Sequence, residues 1–292
     1  MQAQKRKQIT SNSLEPQDFS LAVKNNKKLA FPVKESNKSR PRGKLRYWWS
    51  WVVVSVIILF IATPIMIFYR FRRKRDGFFE WCDWGSRIWL KACGVKVDVT
   101  GRENLEDGRQ YVFVSNHRSY LDTATLYAFA GRRVGLVAKK ELLKVPIFGY
   151  GMAIANVIAI DRTNRTKARE SMERARRIME DGYSFGVFAE GTRGMPGELL
   201  PFKKGAIHLA LQTRAPIIPV VFTNTDELMG KRTGVAYPGT IKMVLLPAIE
   251  TDGKNADQDL MDILNESRSA VAEVLYRESK KLTSETSSEN QL

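Results

Sequence analysis

An uncharged run of 23 residues, 47–69, constrains the fold of this 292-residue chain more than any other feature. As a helix it would be about 35 Å long, against roughly 30 Å for the hydrocarbon core of a bilayer. A buried core helix seldom carries so long an uncharged run, and the tail before it is too long for a cleavable signal peptide. The sequence therefore predicts a membrane anchor. Aromatic side chains that resemble interfacial belts lie at its two ends: Tyr47, Trp48, Trp49 and Trp51, and Tyr69.

The positive charge of the chain brackets this anchor. The net charge is +16, from 47 Lys and Arg against 31 Asp and Glu. Residues 1–46 carry 12 basic and 3 acidic side chains, and residues 70–75 carry five more basic ones. A nucleic-acid-binding protein is expected to spread such charge over a folded surface, whereas basic clusters beside an apolar helix attract anionic lipid headgroups. We expect membrane lipids as partners and no nucleic acid.

The orientation of the anchor is not decided by these charges, because both flanks are basic and the positive-inside rule has no asymmetry to use. Two arrangements are compatible with the sequence. One is a full span of the bilayer. The other is a helix broken near Pro64 that enters one leaflet and returns. In either case we expect the domain that follows the anchor to face the cytoplasm.

Residues 78–94 place apolar side chains at helical spacing, which indicates an amphipathic helix at the membrane interface; a helix packed on the protein's own core is the alternative. Its two cysteines, Cys82 and Cys93, are interpreted as small buried hydrophobic residues, with reversible palmitoylation as a minor alternative. Two Cys and two His in the whole chain are too few for a disulfide framework or a Cys/His zinc cluster, and no metal site is expected.

From residue 95 onward, strand-like and helix-like patterns alternate, which is typical of an α/β domain. We predict a mixed or mostly parallel sheet flanked by helices over residues 95–278, preceded by the anchor and interfacial helix over residues 47–94. The polar ends, residues 1–46 and 279–292, are predicted to be disordered tails. The predicted strands are 95–101, 111–116, 186–192, 217–223 and 241–249, and the predicted helices are 165–181, 204–213 and 260–275.

Polar clusters follow three of the strand-like runs, and ligands of open α/β sheets gather at the carboxyl ends of strands. The first cluster contains His117 and Asp122. A histidine is the usual general base at neutral pH, and a carboxylate can fix its tautomer. A spacing of five suits this pairing if His117 lies on a strand-to-helix turn and Asp122 reaches back from the helix. The alternative is that Asp122 only caps the helix, because Ser119 and Asp122 also form a capping-box pattern.

The other two clusters are basic. The second ends in Arg162, which by itself is more typical of an ion pair at a strand end. The third contains Gly191, Thr192 and Arg193, which offer close backbone approach, a hydroxyl group and a planar guanidinium fork. With Lys139 after a neighbouring strand, the two arginines would form a phosphate clamp. The alternative is three unrelated surface turns.

Taken in order, these clusters resemble the conserved blocks of the glycerophospholipid acyltransferase family, most closely its 1-acyl-glycerol-3-phosphate acyltransferases. The resemblance covers about residues 70–250. Ala189 is a departure, since the family commonly has proline there, but the change removes no polar group. The matching segments are NHRSYLD (116–122), VAKKELLKVPIFGYGM with VIAIDR (137–162), FAEGTR (188–193), FKKGAIHLA (202–210) and APIIPVVF (215–222).

The resemblance implies a reaction and gives each residue a role. His117 would be the general base for an acceptor hydroxyl that attacks an acyl thioester, and Asp122 would orient it. The donor would be acyl-CoA or acyl carrier protein, with no cofactor, and the acceptor lysophosphatidate; glycerol 3-phosphate or another lysophospholipid is the alternative acceptor. The expected phosphate-binding residues are Glu190, Gly191, Thr192, Arg193, Arg162 and Lys139.

Overall fold

The computed structural model describes residues 16–32, 39–71, 77–138, 148–159 and 165–289. The helices in these ranges are α1 (Pro16–Lys24), α2 (Arg40–Val56), α3 (Thr63–Phe71), α4 (Phe78–Ala92), α5 (Tyr120–Phe129), α6 (Phe148–Ile154), α7 (Arg165–Glu180), α8 (Gly205–Thr213), α9 (Thr225–Met229) and α10 (Leu260–Glu289). The strands are β1 (Leu29–Ala30), β2 (Val95–Thr100), β3 (Val112–Ser115), β4 (Val134–Ala138), β5 (Ile158–Ala159), β6 (Ser184–Phe188), β7 (Glu198–Leu199), β8 (Ile217–Thr223) and β9 (Gly239–Leu245).

Seven of these strands form one sheet in the order β2-β9-β8-β3-β6-β4-β5. Only β8 and β9 are antiparallel; the other neighbours run parallel. Parallel neighbours need crossover connections, which here are mostly helices on the two faces of the sheet. The central strands β3 and β8 are buried throughout and apolar along most of their length, as expected for strands covered on both sides. The prediction of a mostly parallel mixed sheet flanked by helices is confirmed.

Two buried apolar clusters cover the faces of this sheet. One joins side chains of α1, α7, α8 and α10, and the other joins side chains of α4, α5 and α9. This two-sided burial fixes the strand ends, because neither face of the sheet is free to shift.

The predicted anchor lies in helical chain that runs without a break from Arg40 to Phe71. Its middle, Ile57–Ala62, is a π-helix that ends just before Pro64. Proline lacks an N–H and its ring collides with the carbonyl four residues earlier, and the wider π turn accommodates both. The chain therefore stays helical through Pro64. Residues 16–32 and the chain after the anchor nevertheless share one core cluster, so a full span that puts the two flanks on opposite sides of the bilayer does not fit this structure. The apolar window within Arg40–Tyr69 has a mean hydropathy of 2.7 and is 6% buried, which argues against a soluble core helix.

Helix α4 corresponds to the predicted interfacial helix, but it also packs on the domain. Phe78, Trp89 and Leu90 are buried, while Trp81 and Trp84 are 44% and 40% exposed. Packing on the protein's own core is therefore found for one face of the helix, and the membrane interface stays a prediction for the exposed face.

The predicted disorder of the two tails is corrected over the described residues. Within 1–46, helix α1 and strand β1 bury apolar side chains such as Phe19, Leu29 and Phe31 in the core. At the other end, α10 begins on the core at Leu260 and continues to Glu289, so residues 279–289 are helical. Composition showed the polar residues of the N-terminal tail but not the few apolar ones that dock it.

Candidate active site

The first and third polar clusters meet at one edge of the sheet. β3 and β6 are parallel neighbours, so the residues that follow them lie side by side. Asn116 and His117 follow β3, and Ala189 and Glu190 follow β6. The backbone connects the two turns directly, since Gly194 N donates to His117 O at 2.8 Å and Ala189 N donates to Ser115 O at 3.1 Å.

His117 and Asp122 form a hydrogen-bonded pair. Nδ1 of His117 lies 2.9 Å from Oδ2 of Asp122, whose side chain is fully buried, while that of His117 is 15% exposed. The same Oδ2 accepts the backbone N–H groups of Arg118 at 2.7 Å and Ser119 at 2.8 Å. Asp122 also completes the capping box of α5 with Ser119. Capping and histidine pairing, which the sequence left as alternatives, are therefore both present.

The imidazole ring has a fixed plane. It stacks on Phe188 with the ring centroids 4.0 Å apart and the planes 20° from parallel. With Nδ1 directed at Asp122, Nε2 is the ring nitrogen that faces away from the buried carboxylate. This is the arrangement needed to accept a proton from a bound hydroxyl group.

Glu190, which the resemblance implied to be a phosphate-binding residue, is buried and faces the protein interior. The residue is 2% exposed, and its carboxyl group accepts His117 N on Oε1 and Leu200 N on Oε2, each at 2.7 Å. Burial raises the pKa of Glu190 to about 8, against the opposing effect of these hydrogen bonds. The side chain thus joins the His117 turn to the chain around Leu200 rather than opening toward a ligand.

The Gly191-Thr192-Arg193 turn brings a half-buried positive charge, that of Arg193, to the site. Gly191 has φ +68°, and a Cβ at this position would meet Nζ of Lys203 at 2.7 Å. The guanidinium of Arg193 lies 3.6 Å from the ring centroid of Tyr120, which is 42% exposed. Glycine is favoured at this turn by its backbone angle, whereas the flexible lysine side chain could move aside.

Lys231 adds a further cation, because its Nζ donates to the main-chain oxygen of Arg193. Lys139 and Arg162, expected to complete the phosphate clamp, lie outside the described residues. They follow β4, which ends at Ala138, and β5, which ends at Ala159. β4 is next to β6 in the sheet, and β5 is next to β4.

The sequence interpretation missed two buried side chains that hold this site. Nε of Arg118 donates to Glu198 O at 2.8 Å, and its Nη1 lies 3.2 Å from Oδ2 of Asp226. The Asn116 amide exchanges two 2.9 Å hydrogen bonds with the backbone of Phe222. Both residues are direct neighbours of His117 in the NHRSYLD segment, and this position was the one signal in the sequence that could have pointed to them. Their long-range partners are not visible in the sequence.

Neither cysteine is placed as a nucleophile. Burial raises the pKa of Cys82 to about 12 and that of Cys93 to about 11, so both are thiols at neutral pH.

The chain also matches known proteins over most of its length. A family model described as Acyltransferase matches residues 96–223. The chain is 38% identical over 204 residues to a 1-acyl-sn-glycerol-3-phosphate acyltransferase of Limnanthes alba, covering 70% of this chain and 69% of the relative. It is 37% identical over 227 residues to an uncharacterized acyltransferase of Schizosaccharomyces pombe, covering 77% of each.

A crystal structure with the same fold is that of the 1-acyl-sn-glycerophosphate acyltransferase of Thermotoga maritima. The TM-score is 0.66 at 24% sequence identity, and the match covers 84% of this chain and 98% of the other.

Proposed function

The chain belongs to the 1-acyl-sn-glycerol-3-phosphate acyltransferase family, and from this membership we propose that it moves a fatty acyl group from an acyl thioester to the free hydroxyl of 1-acyl-glycerol 3-phosphate. The product is phosphatidic acid. The observation that carries this proposal is the His117–Asp122 pair, 2.9 Å apart at the sheet edge where the Arg193 turn also lies.

The proposed mechanism is direct transfer. Asp122 holds Nδ1 of His117, and Nε2 takes the proton of the acceptor hydroxyl as its oxygen attacks the thioester carbonyl. The tetrahedral intermediate then breaks its C–S bond, and the imidazolium returns the proton to the departing thiolate. No acyl-enzyme forms and no metal ion takes part. The carboxylate of Asp122 stabilises the imidazolium while it carries the proton.

The acceptor phosphate is proposed to bind at the Gly191-Thr192-Arg193 turn. The guanidinium of Arg193 supplies a planar fork, and Thr192 supplies a hydroxyl group. Following the family blocks, Lys139 and Arg162 are proposed to add two further cations. Glu190 is assigned to positioning the His117 turn, because both of its oxygens already accept backbone N–H groups.

The proposed membrane-facing surface is formed by α2, α3 and α4. It lies beside the site, since Trp51 of α2 contacts the Tyr120 ring in a T-shaped arrangement at 5.6 Å. A lysophospholipid with its chain in the bilayer would then present its headgroup near His117. We place the catalytic domain on the cytoplasmic side, where basic flanks meet anionic lipid. Large exposed apolar side chains on this surface include Trp48, Trp49, Val52, Leu59, Phe60, Ile67, Phe68, Trp81 and Trp84.

The test is an assay of the purified protein in detergent or vesicles against a panel of acceptors. The panel contains lysophosphatidate, glycerol 3-phosphate and a zwitterionic lysophospholipid, each offered with acyl-CoA and with acyl carrier protein thioester. We expect turnover with lysophosphatidate to exceed that with the other acceptors. Turnover of glycerol 3-phosphate or the other lysophospholipid alone would contradict the proposed acceptor.

A further inference from the structure

The N-terminal segment, residues 16–32, is built into the catalytic domain. Phe19, Leu29 and Phe31 are at most 8% exposed and belong to the main core cluster. Arg268 of α10 is fully buried and donates to backbone oxygens of this segment, including Val23 O at 2.6 Å. The segment therefore has a fixed place, although it lies outside the residues matched by the family model.

One edge of this segment is attached to the chain that leaves the Arg193 turn. β1 pairs antiparallel with β7, and Phe31 N donates to Gly197 O at 2.7 Å. Asn26 makes the most specific contact, because its amide exchanges two hydrogen bonds with the backbone of Phe202, at 2.8 and 2.9 Å. Lys28 forms an ion pair with Glu198.

The other side of the same chain is attached to the residues around His117. Leu200 N donates to Glu190, whose second oxygen accepts His117 N. Glu198 O accepts Nε of Arg118, the residue that follows His117. Residues 197–203 thus lie between the N-terminal segment and the catalytic histidine, with hydrogen bonds in both directions.

We infer that the N-terminal segment positions His117 for acyl transfer, with Asn26 as its principal positioning residue. Asn26 fixes the backbone at Phe202. Residues 197–203 in turn hydrogen-bond to Glu190 and Arg118, and these two residues hold the backbone at His117 in place. The inference rests on the proposed function, because acyl transfer is the activity that its assay measures. It adds that a segment outside the matched family domain sets the rate of the chemical step.

The experiment compares Asn26→Gly with Asn25→Gly in the full-length protein. Asn26 has φ +50°, so glycine keeps the backbone angle while removing both amide hydrogen bonds. Asn25 is the exposed neighbour and controls for added chain flexibility. Both variants are assayed well below their melting temperatures. We expect Asn26→Gly to lower kcat about tenfold relative to Asn25→Gly and to change the KM for lysophosphatidate less than twofold.

A second pair guards against misfolding of the first. Lys28→Met removes the ion pair with Glu198, and Lys24→Met changes an exposed lysine of α1 as its control. We expect a two- to threefold fall in kcat for Lys28→Met alone. Equal kcat in both pairs, whatever happens to the melting temperature, would overturn the inference. Absence of turnover in the unmodified protein would instead remove the proposed function.

Discussion

The guanidinium of Arg193 lies 3.6 Å from the ring centroid of Tyr120. The same ring contacts Trp51 at 5.6 Å, so the aromatic side chain joins the apolar helix to the proposed phosphate-binding turn. A cation over an aromatic face at an exposed site contributes about 0.5–1 kcal/mol. The same contact fixes the direction in which the guanidinium points.

Replacing this ring tests whether it places Arg193. Tyr120→Leu is expected to raise the KM for lysophosphatidate about two- to fivefold, which corresponds to the loss of about 0.5–1 kcal/mol. Tyr120→Phe keeps the ring and should remain close to the unmodified enzyme. The measurement is steady-state kinetics with varied acceptor; identical KM values for the two variants would contradict this role.

The buried pair of Arg118 and Asp226 predicts a large loss of stability when it is broken. The two side chains are 6% and 4% exposed, and Asp226→Ala would leave the guanidinium buried without its carboxylate. We expect the free energy of unfolding to fall by about 3–5 kcal/mol. Arg176→Ala is the control, since its pairs with Glu173 and Glu180 are on the surface, where solvent screens them, and its loss should be much smaller. Denaturant titration in detergent measures both, and equal losses would count against the pair.

Glu190 gives the protein a distinctive pH dependence. Its carboxyl group has a pKa of about 8 in the folded protein, against 4.5 as its ordinary value. Between these values the unfolded chain releases the proton while the folded protein keeps it, so stability falls as pH rises from about 5 to 8. The contribution reaches up to about 1.4 kcal/mol per pH unit.

Glu190→Gln removes this titration. As pH rises from 5 to 8, the unmodified protein should therefore lose more stability than the Gln variant. Melting temperatures of both proteins at four pH values across this range provide the measurement. Parallel curves for the two proteins would show that the Glu190 carboxyl group titrates normally.

The cysteines provide a test against a covalent route. Burial keeps Cys82 and Cys93 as thiols at neutral pH, and we expect the double variant Cys82→Ala/Cys93→Ala to retain kcat within about twofold. Incubation of the unmodified protein with radiolabelled acyl-CoA alone should leave no acyl group on the denatured protein. A labelled cysteine whose loss abolishes turnover would contradict direct transfer.

The sequence could predict the α/β sheet and the meeting of two clusters at its edge because both depend on local patterns. Alternating apolar residues indicate strands, and parallel neighbours bring the turns after β3 and β6 together. The His117–Asp122 contact was predictable as a geometry, since it spans a single turn.

The long-range polar contacts could not be predicted in the same way. Arginine is usually a surface residue, yet Arg118 and Arg268 are both buried. Arg118 contacts Asp226, which is 108 positions away, and Arg268 contacts the docked N-terminal segment. Glu190 sits in a segment typical of phosphate binding, and only the positions of His117 N and Leu200 N show that its carboxylate faces inward. Disorder in the tails was predicted from average polarity, whereas docking depends on a few apolar side chains.

The most direct test of the account is acyl transfer by His117→Ala, with the variant of the only other histidine, His208→Ala, as its control. Loss of a general base costs roughly 10²- to 10⁴-fold in rate, so we predict a fall of that size in kcat for His117→Ala, with binding of lysophosphatidate changed less than threefold. His208→Ala should retain most of its activity. Full acyl transfer by His117→Ala would contradict the account at its centre.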